Sequence, residues 1–276
     1  MNTITTITWL TFHEARRRRM VLAGLGMGVV LILLFSVGVW LINGELQREA
    51  ESLPVRQQIY NFLLMAGLYV VHFLTIMLAI FASVDTVSGE IASHTIQALV
   101  TKPVRRWQVL LGKWLGYALM LTLYLMLLAG GIMVAMYVQV GYWPDNPIQG
   151  LLLLALEALV LLSLSMLGGT RFATLTNGVL LFMLYGLAFI GAWVEQIGAL
   201  LQSESAVNIG IVASLLLPVE ALWRLAANLM QPPTADIMPT PFSAISVPST
   251  AMVVYAIGYA AVALVLAMYT FSRRDL

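Results

Sequence analysis

Ionisable side chains placed where water is scarce are the first candidates for chemistry, and two stand out: His72 and Glu157, each near the middle of a long apolar run. A central charge in a bilayer costs roughly 2.5–3.5 kcal/mol on insertion scales. Each residue must therefore face a bundle interior, a water-filled cavity or a partner, or stay neutral. Two readings of Glu157 are open: it lines or gates a path across the membrane, or it is a neutral, hydrogen-bonded packing residue. The same two apply to His72. Other chemistry is harder to assemble. His13, His72 and His94 are dispersed, without His-x-x-x-His or carboxylate partners at ligand spacing, so no metal site is expected. No cysteine is present to bind a metal or to form a disulfide. The 15 methionines form no Met-x-x-Met cluster in an outer loop and read as packing residues. Ser163 and Ser165 have no base nearby in sequence, and a helical serine in lipid usually bonds to its own backbone. Gly112-Lys113 is not a phosphate-binding loop, because Trp107 stands where the first glycine is needed and Trp114 where Ser or Thr should follow. No catalytic residue is expected.

The elements that must position His72 and Glu157 follow from composition. Hydrophobic residues make up 61% of the chain and charged residues 10%, against about 25% charged in soluble domains. Lipid must surround most of this surface. A spanning helix needs roughly 20 apolar residues, and six runs approach that length, at about 20–42, 60–84, 114–138, 150–167, 178–194 and 251–271. They must be helices, because backbone groups cannot go unpaired in lipid. The fold class is thus all-α integral membrane. The first run follows Arg16-Arg17-Arg18-Arg19 and is too long for a signal-peptide core, so it reads as a retained span. The amphipathic lead-in before it should lie at the interface, with Ile4, Ile7 and Leu10 dipping into lipid. Runs two and four travel in the same direction, so His72 and Glu157 can lie at matching depth and pair.

Charge placement sets the orientation. With the N-terminus in the cytoplasm, 11 of the 14 basic residues lie inside, and only Arg48, Arg56 and Arg224 lie outside. Six spans return the C-terminus to the same side. The apolar stretch 206–217 is too short to span. With Pro218, Glu220 and Arg224 it reads as an outer re-entrant or interfacial hairpin over about 203–230, followed by a proline-rich linker. Gly24 and Gly28 in run one, with Gly186 in run five, could allow close approach of a second copy.

The segment 85–113 is the most informative loop. Gly89 suits a break at the end of span two, with Glu90 then in the first turn of a short amphipathic helix, where its charge complements the helix dipole. Pro103 ends that helix. Arg105, Arg106 and Trp107 belong at headgroup level. The series Ser88-Gly89-Glu90, Thr95, Leu99, Lys102-Pro103-Val104, Arg106 and Gly112-Lys113 resembles the pattern after the second span in ABC-2 type permease subunits of ATP-binding-cassette transporters. His94 departs from it where glycine is usual, and Arg105 where serine is common. The likeness covers nearly all of 1–276, read as a single transmembrane domain. The stretch Leu215-Leu216-Leu217-Pro218 to Ala221-Leu222-Trp223-Arg224 is most similar to the permeases that serve nitrous oxide reductase maturation.

The resemblance implies a coupling helix between spans two and three. Ser88, Gly89, Glu90, Thr95, Leu99, Lys102, Pro103 and Arg106 would then contact a separate ATPase subunit. ATP and magnesium would sit on that partner and no cofactor on this chain, with a second permease copy completing the transporter in the plasma membrane. Glu157 and His72 become candidates for its translocation path. Lipids are expected partners and nucleic acid is not. Two other functions fit an apolar six-span chain: an ion-coupled secondary carrier, which often shows inverted repeats and broken helices in both halves, and a non-transporting anchor or assembly factor for an extracytoplasmic partner. The charge asymmetry predicts that Gln57 and Asn146 face outward and that Ser93 and Ser272 face the cytoplasm. Single cysteines at these positions, probed in intact cells with an impermeant maleimide, should label only at the first two. Labelling of Ser93→Cys would overturn the orientation.

Overall fold

The computed structural model describes residues 3–49, 52–92, 105–232 and 246–273. Among them it is helical throughout: α1 (Thr3–Arg17), α2 (Arg19–Arg48), α3 (Leu53–Ser83), α4 (Asp85–Ala92), α5 (Arg106–Val140), α6 (Pro147–Gly169), α7 (Thr174–Leu200), α8 (Glu204–Leu216), α9 (Val219–Met230) and α10 (Ala251–Arg273). Helices α2, α3, α5, α6, α7 and α10 are the six long and apolar enough to cross a membrane, and the shortest have 23 residues. At about 1.5 Å per residue even those exceed the ~30 Å of hydrocarbon. The chain is an all-α, multi-pass membrane protein.

Hydrogen bonds fix which helix ends share a face. Arg18, Asp85, Lys113 and Thr174 meet on one face, with Thr170 bonded to Thr270 there as well. Tyr60 bonds Asn43, and Tyr142 bonds Asn61, at the other. The first is called here the near face and the second the far face. Helix α6 is central, packed by α3, α5, α7, α9 and α10, while α2 and α10 turn most of their surface outward.

Several boundaries differ from the hydrophobic runs. The third run begins at about 114, but α5 starts at Arg106, so Arg106 and Lys113 belong to the span helix. The fifth run ends at about 194, but α7 continues to Leu200 and carries Glu195 into the bundle. A helix does not stop at a charge when that charge finds a partner. The break after α3 lies at Val84, not Gly89, and Gly89 sits within α4, where a side chain would collide with the Asp85 carboxylate one turn back. Gly141, with φ of 66°, does end α5, in the left-handed conformation that favours glycine.

Small residues decide the helix contacts. Ile7 and Thr11 of α1 rest on Gly112 and Gly116 of α5, so α1 is docked on a span. Ile7 therefore faces protein, whereas Trp9 and Leu10 are exposed. Gly28 accommodates Leu128, and Gly24 lies against Leu78 and Tyr124. Both glycines thus face their own bundle, not a second copy, while Gly186 has open space around it.

The hairpin is bent by 106° between α8 and α9. Helix α8 runs back along α7 on a seam of small residues: Gly198 against Ala206, Gly191 against Ala213, and Gly210 against Glu195. Helix α9 then returns to the far face, where Asp145 N–H donates to the Met230 carbonyl at 3.1 Å. Since α8 leaves and α9 regains the same face, the hairpin is re-entrant, and the 217–220 bend lies inside the bundle. The Tyr259 hydroxyl of α10 donates to the Leu216 carbonyl at 3.1 Å, and Tyr255 donates to Leu215. These bonds satisfy carbonyls that the end of α8 would otherwise leave bare in hydrocarbon. Gly191→Val should force α8 off α7, lowering stability by about 1–3 kcal/mol, with Gly258→Val, at a position with open space around it, near neutral. Thermal unfolding in nanodiscs checks the contrast.

Candidate functional site

The deep end of α9 brings the ionisable groups together. His72 of α3 contacts Glu157 Oε1 of α6 through Nδ1 at 2.7 Å and Glu220 Oε1 of α9 through Nε2 at 3.4 Å. His72 and Glu157 are completely buried, and Glu220 nearly so. Two aromatic rings pack on the imidazole and on each other: Tyr69 stacks at 5.6 Å between centroids, Trp223 lies at 5.0 Å, and the two rings are 5.2 Å apart. One turn beyond Glu220, Arg224 makes a two-pronged contact with Glu195 of α7, Nη1 to Oε1 at 2.7 Å and Nη2 to Oε2 at 2.8 Å. Its Nη2 also donates to Ser214 Oγ of α8 at 3.2 Å, and its Nη1 to the Ser246 carbonyl at 3.3 Å. Ser246 Oγ in turn donates to Glu195 Oε1 at 2.7 Å.

This geometry limits the chemistry. The two carboxylates address opposite nitrogens of one ring and do not converge on a point. Among the described residues no group of three His, Cys, Asp or Glu could hold a metal ion. Each imidazole contact needs a bridging proton, because two lone pairs cannot face each other. With both carboxylates ionised, His72 is the imidazolium, donating from both nitrogens. A cleft lined by Tyr69, Trp193, Gln196, Glu220, Trp223 and Arg224 opens on this cluster. Glu220 is the member of the triad that borders it.

The structure thus joins His72 to Glu157, the two intramembrane residues singled out from sequence, and adds three others. Glu220 and Arg224 looked like outer-loop charges and are buried inside the bundle, while Glu195 fell beyond the fifth apolar run. The signal for Glu220 and Arg224 was their spacing, one helical turn apart in an otherwise apolar stretch just after Pro218.

A second cluster surrounds α4 at the near face. Ser88 is buried and bonds Thr174 of α7 at 2.8 Å, and Thr174 also donates to Asp85 at 3.3 Å. Arg18, in the α1–α2 elbow, pairs with Asp85 at 3.7 Å, and Lys113 of α5 donates to the Thr86 carbonyl at 3.5 Å. Of the residues assigned to the coupling segment, Ser88 faces its own bundle, Gly89 and Glu90 lie in α4, and Arg106 opens α5. Thr95, Leu99, Lys102 and Pro103 lie outside the described residues.

The model of the family described as "ABC-2 family transporter protein" matches residues 6–276, nearly the whole chain. No curated protein matches the chain, so the likeness of the 215–224 stretch to the permeases of nitrous oxide reductase maturation rests on those residues alone. Removing one partner of the buried Arg224–Glu195 pair should be costly. Arg224→Met leaves Glu195 buried and unpaired, for a loss of about 3–5 kcal/mol. The Arg224→Met, Glu195→Met double variant should recover much of that loss. A double-mutant cycle on thermal unfolding in nanodiscs reads the coupling, and additive losses would disprove it.

Proposed function

This chain belongs to the ABC-2 transporter family, and from that premise we propose that it is a permease subunit whose transport is driven by ATP hydrolysed on a separate ATPase subunit. The observation that supports the reading is the way α4 is held. This helix opens the connection between spans two and three, and its residues reach the α1–α2 elbow through Arg18, α5 through Lys113 and α7 through Thr174. A push on the segment 85–105 would be delivered to all of these helices at once. Ser88, turned inward, positions α4. Contact with the ATPase falls to Gly89, Glu90, Thr95, Leu99, Lys102, Pro103 and Arg106. ATP and magnesium belong on that partner.

In this reading the near face is cytoplasmic, since it carries Arg16, Arg17, Arg18, Lys113, Arg171 and Arg273, and both termini follow it there. A second permease copy is placed against the exposed face of α7, where Gly186, Met183 and Ile190 are free of intramolecular cover. Glu157 and His72, completely buried, act by holding the re-entrant hairpin beside the path. The decisive variant is Glu90→Lys, Leu99→Asp. Co-purification with the ATPase encoded beside it, and transport, should both be lost while membrane insertion survives. Unchanged complex formation and transport would remove the coupling-helix assignment.

A further inference from the structure

Among the described residues, the charged groups around the deep end of α9 do not balance. Three carboxylates (Glu157, Glu195 and Glu220) face two cations, Arg224 and a doubly protonated His72. Arg224 and Glu195 satisfy each other, so the excess negative charge falls on the His72–Glu157–Glu220 triad. Glu157 Oε2 is buried without a hydrogen-bond partner among the described residues. An uncompensated charge at this depth is expensive. Among the described residues, the remaining neighbours do not supply the missing charge. On α3 itself there is Tyr69, stacked on the ring. On α7, Tyr185 is buried within electrostatic reach of Glu220 and Glu157. On α10, Tyr255 and Tyr259 donate to the Leu215 and Leu216 carbonyls. Across α3, α5 offers Tyr124, which donates to the Gly24 carbonyl, and Lys113, which reaches Thr86 at the near face. Helix α2 has no ionisable side chain between Arg19 and Glu45.

We infer that the His72–Glu157–Glu220 triad is a proton-binding site, loaded with one proton from the far face through the cleft that Glu220 borders. The step balances simply. A hydronium ion in the cleft gives its proton to the Glu220 carboxylate and leaves as water, Glu220 becomes a carboxylic acid, and the triad loses its net charge. His72 still donates from both nitrogens, to Glu157 and to the remaining lone pairs of Glu220. Gln196 and Arg224, beside Glu220 in the cleft, offer polar partners that suit water. The contact of His72 with Glu220, at 3.4 Å the longer of its two, is the one that proton uptake weakens. The deep end of α9 is thus the part of the hairpin whose hold responds to far-side acidity. This inference does not rest on the ATPase partnership.

Infrared difference spectroscopy of the full-length chain in lipid nanodiscs, recorded as the medium is acidified, tests it without any transport assay. Above the background of the other carboxylates, the wild type should gain a carboxylic-acid C=O stretching band that exceeds that of Glu220→Gln by the amplitude of one carboxyl per chain and shifts in deuterated buffer. This additional band should be absent from Glu220→Gln and present at a changed frequency in Glu220→Asp. An acid band at full amplitude in Glu220→Gln that elutes as a folded species would overturn the assignment. So would loss of the native band on adding sodium or tetramethylammonium at constant pH, which would mark a cation site instead. Should Glu220→Gln fail to fold, Glu220→Asp decides alone, and an unshifted band there refutes the site.

Discussion

A chain that turns round inside hydrocarbon must satisfy every polar group it takes there, and this requirement governs the far half of the bundle. The bend between α8 and α9 exposes carbonyls at the end of one helix and places Glu220 and Arg224 on the next. Nothing in lipid can solvate them. Each is met by a different helix: Tyr255 and Tyr259 of α10 reach the carbonyls, His72 of α3 reaches Glu220, and Glu195 of α7 reaches Arg224. The positions of three spans relative to one another follow from that single re-entrant segment.

The contacts differ in what they contribute. A buried ion pair such as Arg224–Glu195 adds little net stability, because desolvation offsets most of its attraction, but losing either partner is costly. Its role is to fix one geometry. The closeness of α8 to α7 comes from size, not charge: Gly191, Gly198 and Gly210 let the two backbones approach until Ala206, Ala213 and the Glu195 Cβ fill the seam. That close approach in turn places Glu195 within reach of Arg224. Helix α7 also carries Thr174 at its near end, where it bonds Ser88 and Asp85 of α4. One helix therefore joins the near-face cluster to the intramembrane one, and α6 runs beside it with Glu157.

Much of this architecture was legible beforehand. The six spans follow from hydropathy alone, because about 20 apolar residues have no other stable place than a bilayer. A short apolar stretch closed by Pro218 marked 203–230 as a re-entrant or interfacial hairpin, and the direction of their spans allowed His72 and Glu157 a matching depth. Helix ends were less legible. Lys113 and Glu195 extend their helices past the apolar runs because each finds a partner, and hydropathy cannot register a partner. The break at Val84 in place of Gly89 was hidden for a similar reason: Gly89 is there to clear the Asp85 carboxylate, not to end a helix.

The sequence by itself determined that this chain is helical, crosses a membrane six times and belongs with transporter permeases, since apolar length, charge placement and local motif are properties of consecutive residues. Only the tertiary structure decided which charges meet. Glu220 is 148 residues from His72 and Glu157 is 85 residues from it, and Glu220 and Arg224 read as surface charges until the bend turned them inward. Whether a glycine serves a bundle or a second copy was likewise undecided: Gly28 takes Leu128 of its own chain, while Gly186 is left open. Pairing across such separations depends on how helices pack, and packing is fixed by side-chain volumes on facing surfaces, which no single stretch of sequence contains.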